Sequence, residues 1–208
     1  TIKSCVNRHN GIDAMQGGNV VTIYNDIVNP AVIQDANIAV RILNGTLTST
    51  RGNFNNNLEH IYAERSTVNI TGGNYLFTGP MLPPYTSVLL PPSNSVSFVP
   101  FSANASPRTA IRLLNCVVLP EIREININKA GTGVEVRGGG LIFKSNKVSN
   151  CKKGVYHWNT INSTQNSNAE CNIGDWGGTS NDINQFENCG EGIFAGGKLI
   201  PCHINGNN

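Results

Sequence analysis

The sequence predicts an all-β repeat protein, a stack of short strands joined by tight turns with little or no α-helix. One reason is composition, because the 208 residues include 31 Asn and 22 Gly, which favour turns over helix interiors. A second is a phrase that recurs in register along the chain. A third is that no segment has a sustained apolar period of 3.6 residues with helix caps.

The recurring phrase joins a small residue, a glycine and an aliphatic residue. Residues 150–157 (NCKKGVYH) match residues 188–195 (NCGEGIFA) without a gap, and residues 129–136 (KAGTGVEV) carry Ala in the Cys position. A looser copy spans residues 4–14. Positions 129 and 150 are 21 residues apart, which fits one coil, and positions 150 and 188 are 38 apart, which we interpret as two coils of about 19.

A second phrase carries paired glycines. Residues 70–77 (ITGGNYLF) align with residues 136–143 (VRGGGLIF), and more loosely with residues 42–47 (ILNGTL). We expect Asn and Gly at the turns, with Asn side chains bonded to the Asn of the next coil. An antiparallel sandwich with Asn-Gly hairpins is the alternative to a stack of coils.

Three regions are predicted within one domain: coils over 1–77, a Pro-rich excursion over 78–110 that packs on them, and coils over 111–208. Residues 78–107 hold seven of the ten prolines, and proline cannot donate to a strand ladder. The chain begins at Thr1 without Met, so we interpret it as part of a longer protein.

The six cysteines are expected to be free, buried thiols, because several occupy equivalent positions of the repeat; three disulfides are the alternative. No Cys or His spacing indicates a metal site, and no cofactor is expected. A charged fraction of 13% and a net charge of +2 argue against a nucleic-acid partner. No apolar run is long enough for membrane insertion.

Both phrases resemble the coils of the right-handed single-stranded parallel β-helix of the pectate-lyase-like superfamily. The Asn-rich, weakly charged and Met-poor composition resembles that of bacteriophage tailspikes. The resemblance covers most of the chain except residues 78–107, and it includes no catalytic motif. It implies a homotrimer on a virion, or an extracellular protein, that binds and often cleaves bacterial surface polysaccharide such as O-antigen or capsule.

Candidate site residues follow from the period of two in a strand. In the Gly-aliphatic phrase the aliphatic side chain points inward, so the next residue points outward. This places Asp13, Glu135, Tyr156 and Phe194 at equivalent outer positions, with Arg137 and Trp158 two residues beyond Glu135 and Tyr156. Glu135 is expected beside Tyr156, and Arg137 beside Trp158. His157 is expected to point inward.

These residues form the candidate sugar site. Aromatic rings pack on the apolar faces of pyranoses, and charged groups bond hydroxyls. The candidate substrate-binding residues are Arg137, Tyr156, Trp158 and Trp176, and the candidate catalytic carboxylates for glycoside hydrolysis are Glu135, Glu170 and Asp175. A lyase is the less favoured enzyme.

Two functions from different classes remain open. The first is a tailspike-like protein that binds, and in the enzymatic case hydrolyses, bacterial polysaccharide. The second is a non-enzymatic structural β-helix of a virion fibre or adhesin, whose outer residues are ordinary surface or face a neighbouring subunit.

Overall fold

The computed structural model describes residues 2–3, 10–28, 31–77, 108–116, 118–159, 170–174, 183–197, 202–205 and 207. The predicted excursion at 78–107 lies outside these residues, as do Cys5, Asp175 and Trp176.

The described residues form β-strands arranged in two sheets, with no helix among them. The first sheet has eleven strands: β1 (Ile2–Lys3), β3 (Val20–Tyr24), β4 (Ile33–Gln34), β6 (Thr46–Asn55), β8 (Thr67–Leu76), β10 (Glu121–Asn128), β12 (Leu141–Lys144), β13 (Lys147–Ser149), β15 (Cys171–Gly174), β16 (Gln185–Glu187) and β18 (Cys202–Asn205). The second has seven, in the spatial order β2 (Ile12–Ala14), β5 (Ile38–Leu43), β7 (Glu59–Glu64), β9 (Thr109–Leu114), β11 (Thr132–Arg137), β14 (Lys153–Asn159) and β17 (Glu191–Gly197).

Every pairing between these strands is parallel. In the seven-stranded sheet β5 pairs with β7, and in the eleven-stranded sheet β6 pairs with β8. Along the chain, each strand of the seven-stranded sheet is therefore followed by one strand, or by two successive strands, of the eleven-stranded sheet. This confirms the all-β prediction for the described residues and contradicts the alternative of antiparallel hairpins there.

Alternation of side chains along the strands builds the core. Val40, Ile61, Ile111, Val134 and Val155 follow one another across the seven-stranded sheet and are completely buried. The eleven-stranded sheet contributes larger residues to the same cluster, including Phe54, Tyr75 and Phe143.

Asparagines occupy the turns as predicted. Asn150 and Asn188 have φ angles of 54° and 52°, a left-handed conformation that Asn tolerates better than most residues. Asn188 Nδ2 donates to Asn150 Oδ1 over 2.7 Å, and Asn150 Nδ2 donates to Asn128 Oδ1 over 2.9 Å. Stacked turns therefore satisfy one another through their side chains.

Two glycines of the recurring phrase, Gly133 and Gly154, lie where neighbouring backbones pass close together. A Cβ atom at Gly133 would lie 2.5 Å from the carbonyl oxygen of Gly154, and one at Gly154 would lie 2.4 Å from that of Gly192. Both distances are well inside van der Waals contact. The repeated glycine thus marks where successive backbones pass closest.

Two interpretations of the repeat are wrong. The 38-residue offset is not two coils, because β14 pairs directly with β17 and Val155 lies beside Ile193. The phrases at 150–157 and 188–195 therefore occupy adjacent positions of one sheet. The additional length includes residues 160–169 and 175–182, which lie outside the described residues.

The alignment of 70–77 with 136–143 is also wrong. Phe143 lies beside Ile122, which in turn lies beside Ile70 rather than Phe77. Gly73 sits within β8, whereas Gly139 lies between β11 and β12. Paired glycines occur in both places because each is a bend with positive φ, so the same local geometry arises at non-equivalent positions.

The five described cysteines are free. Cys116, Cys151 and Cys171 are buried, as predicted, but Cys189 is half-buried and Cys202 is exposed. Cys151 and Cys189 occupy equivalent positions, two residues before the paired Lys153 and Glu191. The expectation of free thiols is confirmed for these five, and that of burial is wrong for Cys202.

The described residues that flank segment 78–107 lie close together. β9, which follows the segment in the chain, pairs with β7, which precedes β8 in the chain. The Arg108 guanidinium carbon lies 5.8 Å from the centroid of the Phe77 ring. The excursion and the three regions stay a prediction.

Candidate functional site

A single line of side chains crosses the outer surface of the seven-stranded sheet. We call it the outer row, and it consists, in spatial order, of Asp13, Arg41, Tyr62, Arg112, Glu135, Tyr156 and Phe194. The register confirms that Asp13, Glu135, Tyr156 and Phe194 are equivalent. It also confirms Glu135 beside Tyr156, and Arg137 beside Trp158.

Glu135 lies in this row but is not an open surface carboxylate. The residue is only 8% exposed. Arg112 Nε donates to Oε2 over 2.9 Å, and Arg137 Nε donates to Oε1 over 2.6 Å. Because both oxygens are engaged, this carboxylate holds two guanidinium groups in place.

A second carboxylate, Glu59, joins the cluster through Arg112. Arg112 Nη1 lies 2.5 Å from Glu59 Oε1, so one guanidinium bridges Glu59 and Glu135. Burial raises the pKa of Glu59 above its ordinary value, Arg112 opposes that shift, and the negative charge of Glu135 adds to it. A buried carboxyl with a raised pKa is a typical proton donor in acid–base catalysis.

The aromatic residues form a stack beside this cluster. The Tyr156 and Phe194 rings are 5.0 Å apart and 7° from parallel, and the Trp158 and Phe194 rings are 6.2 Å apart and 13° from parallel. Lys153 Nζ lies 4.7 Å from the Tyr156 centroid.

Stacking of the rings determines which of their faces a ligand can reach. Rings on neighbouring strands stack on one another, so Tyr156 has one face against Phe194. Trp158 is 39% exposed and Phe194 36% exposed. β17 is the edge of the described sheet, so the second face of Phe194 meets no further described strand. The ring surfaces open to a ligand are therefore those of Trp158 and Phe194.

A groove of about 490 Å³ opens along the other half of the outer row. We call it the arginine groove; the lining includes Arg41, Glu59, Tyr62, Arg108, Thr109 and Arg112. Arg41 lies over the Tyr62 ring, with its guanidinium carbon 5.7 Å from the ring centroid. The Tyr62 hydroxyl donates to Glu64 Oε2 over 2.9 Å. Burial, and then this bond to Glu64, raise the pKa of Tyr62.

The remaining predicted residues are not brought to this surface by the described structure. Glu170 is exposed, and its carbonyl oxygen accepts from the Leu141 amide over 2.9 Å at the start of β12, a strand of the eleven-stranded sheet. Asp175 and Trp176 lie outside the described residues, so their predicted roles are not placed.

His157 is structural, as expected. It is 1% exposed, and its Nε2 lies 2.9 Å from the carbonyl oxygen of Gly139. Burial lowers its pKa, which favours the neutral ring.

Four residues of the surface were missed at the sequence level: Arg41, Glu59, Tyr62 and Arg112. Three of them, Arg41, Tyr62 and Arg112, directly follow the inward aliphatics Val40, Ile61 and Ile111. The signal was hidden because Ala39, His60 and Ala110 stand where the later copies of the phrase have glycine.

No group of three or more His, Cys, Asp or Glu side chains within the described ranges is arranged to hold a metal ion. The same ranges contain no helix long and apolar enough to cross a membrane.

Comparison with known proteins gives no relative: no family model, no curated protein and no solved structure matches the chain. The chemistry of the outer row is therefore the basis for a functional proposal.

Proposed function

We propose that the two sheets are faces of a right-handed single-stranded parallel β-helix, and that the outer row of the seven-stranded sheet binds bacterial surface polysaccharide. The alternation of the chain between two parallel sheets supports the fold. The tailspike-like role, as a homotrimeric virion or extracellular protein, is part of the same proposal.

The observation that carries the binding proposal is the continuity of the outer row. The arginine groove, the cluster of Arg112, Glu135 and Arg137, and the stack of Tyr156, Trp158 and Phe194 follow one another across adjacent strands. Strands are spaced about 4.8 Å apart, so the surface is long and narrow. Such a surface suits an extended chain of sugars, with guanidinium groups for hydroxyls and rings for apolar sugar faces.

Exposed apolar residues support self-association. Ile27 and Val28, just after β3, are 73% and 80% exposed. Large apolar side chains exposed in this way are commonly covered by a neighbouring protein subunit.

Hydrolysis is a second candidate function, favoured by Glu59. Its raised pKa suits the general acid of a glycoside hydrolase, and Glu135, fixed by two arginines, is the second carboxylate that such a reaction needs. In this mechanism Glu59 donates its proton to the glycosidic oxygen while the bond from that oxygen to the anomeric carbon breaks, and the negative charge of Glu135 stabilises the positive charge that develops on the sugar. Water then adds to the anomeric carbon and returns a proton to Glu59.

The test is binding to an array of O-antigen and capsular polysaccharides. Trp158→Ala should weaken binding by roughly 5- to 150-fold, corresponding to about 1–3 kcal/mol for loss of a stacked ring. Tyr24→Ala is the matched control, because Tyr24 is an exposed aromatic residue of the eleven-stranded sheet, and it should bind like the parent.

Failure of the parent protein to bind any glycan on the array would favour the structural role in a fibre or adhesin. Detection of new reducing ends after incubation with the bound glycan would establish hydrolysis, and unsaturated uronates would indicate a lyase instead.

A further inference from the structure

The positive charges of the arginine groove are balanced unequally. Arg112 is paired with both Glu59 and Glu135. Arg41 forms no ion pair with any described residue, and its contact is the Tyr62 ring. Asp13, the neighbour of Arg41 in the outer row, accepts a hydrogen bond from Asn10 Nδ2 over 2.8 Å instead. The groove is therefore lined by a guanidinium that has no carboxylate partner among the described residues.

The hydrogen-bonding capacity of Arg41 is also incompletely used. Its Nε–H is buried and has no acceptor among the described residues. A buried donor without an acceptor is unfavourable, and a guanidinium binds a carboxylate through two parallel N–H donors. The Tyr62 ring beneath the guanidinium restricts its orientation, which lowers the entropy lost when a ligand binds.

The segment that precedes Arg108 in the sequence contains no acidic residue. Residues 78–107, which directly precede Arg108, contain no Asp and no Glu. The side chains of that segment therefore have no carboxylate to offer to Arg41.

We propose that Arg41 binds a carboxylate of the ligand, so that the polysaccharide is an acidic one with uronic or other carboxylated sugars. This inference rests on the proposed function and specifies its substrate class. A neutral sugar would offer Arg41 only hydroxyl acceptors and would leave its charge uncompensated.

The test uses each polysaccharide that the full chain binds on the array, before and after chemical reduction of its carboxyl groups to alcohols. Reduction removes the charge and keeps the sugar backbone. We expect every bound glycan to be carboxylated and reduction to weaken binding at least tenfold. In Arg41→Gln, binding to the native glycan should fall to the level of the reduced one, and reduction should then have little further effect.

Two variants serve as controls. Arg51→Gln removes the same charge from an exposed position of β6 in the eleven-stranded sheet and should bind like the parent. Arg41→Lys retains the charge without the planar pair of donors, so it should recover part of the affinity. Such a recovery would show that loss of the charge, and not a folding defect, weakens binding in Arg41→Gln.

The outcomes separate the two levels of the proposal. If the parent binds no glycan, the proposed function fails and this inference fails with it. If it binds neutral or phosphorylated glycans, or binds reduced and native glycans equally, the function stands and the carboxylate inference is overturned. Equal losses in Arg41→Gln and Arg51→Gln would also overturn it, because they indicate general charge attraction.

Discussion

The outer surfaces of the two sheets differ in chemistry although their strands are built alike. On the eleven-stranded sheet, Thr46 lies beside Thr67, and Asn74 bonds to Asn53 over 3.0 Å and to Asn126 over 3.4 Å. Like stacks on like in this region. On the seven-stranded sheet, Arg112 is followed by Glu135 and Tyr156, so the chemistry changes from one strand to the next.

The difference is consistent with the proposal that the outer row binds a ligand, whereas the repetitive surface stabilises the fold. A ladder of identical amides satisfies its own hydrogen bonds and reinforces the register. The outer row of the seven-stranded sheet has no such repetition, and no described residue forms an ion pair with Arg41. The charged and aromatic side chains that break the simple repeat are therefore the groups available to bind a ligand.

The largest stability effect that separates the surfaces is expected at Glu135. Glu135→Gln removes the charge that holds Arg112 and Arg137. Loss of this charge should lower the free energy of unfolding by about 1–3 kcal/mol. The loss is smaller than for a fully buried ion pair because both arginines reach solvent. Urea denaturation measures this change.

The matched control is Glu121→Gln on the eleven-stranded sheet. Glu121 pairs with Arg123, and both side chains are about one-third exposed, so its loss should cost under about 1 kcal/mol. Equal losses of stability in the two variants would mean that the Glu135 cluster is an ordinary surface ion pair.

A smaller effect on the free energy of unfolding is expected from the titration of Glu59. Its folded pKa lies above the ordinary 4.5, so the folded state binds its proton more tightly than the unfolded state. The stability that protonated Glu59 contributes is present below pH 4.5 and is lost as pH rises through the folded pKa.

Comparison with Glu59→Gln isolates this titration. The free energy of unfolding of the parent minus that of the variant should decrease as pH rises from 4 to 8. An increase with pH would show that the ion pair with Arg112 outweighs burial.

The sequence predicted the outer row where the phrase of glycine and aliphatic residue is intact. Glu135, Tyr156 and Phe194 were placed correctly because each stands two residues after a glycine of the phrase and directly after an inward aliphatic residue, and side chains alternate between the two faces of a strand.

The arginine groove was not predictable in this way. The glycine position is filled there by Ala39, His60 and Ala110, so the phrase disappears although the strands persist. The burial of Glu135 was also missed, because it depends on Arg112, which lies on the preceding strand of the sheet and is 23 residues away in the chain.

Hydroxyl-radical footprinting with and without bound polysaccharide tests most directly whether the seven-stranded sheet carries the binding surface. Both surfaces have aromatic reporters: Tyr62, Tyr156, Trp158 and Phe194 on the seven-stranded sheet, and Tyr24, which is 71% exposed, on the eleven-stranded sheet. We predict lower oxidation of the first four when the glycan is bound, and unchanged oxidation of Tyr24. Protection of Tyr24 with no change at Trp158 and Tyr62 would contradict the account and assign binding to the surface of stacked threonine and asparagine.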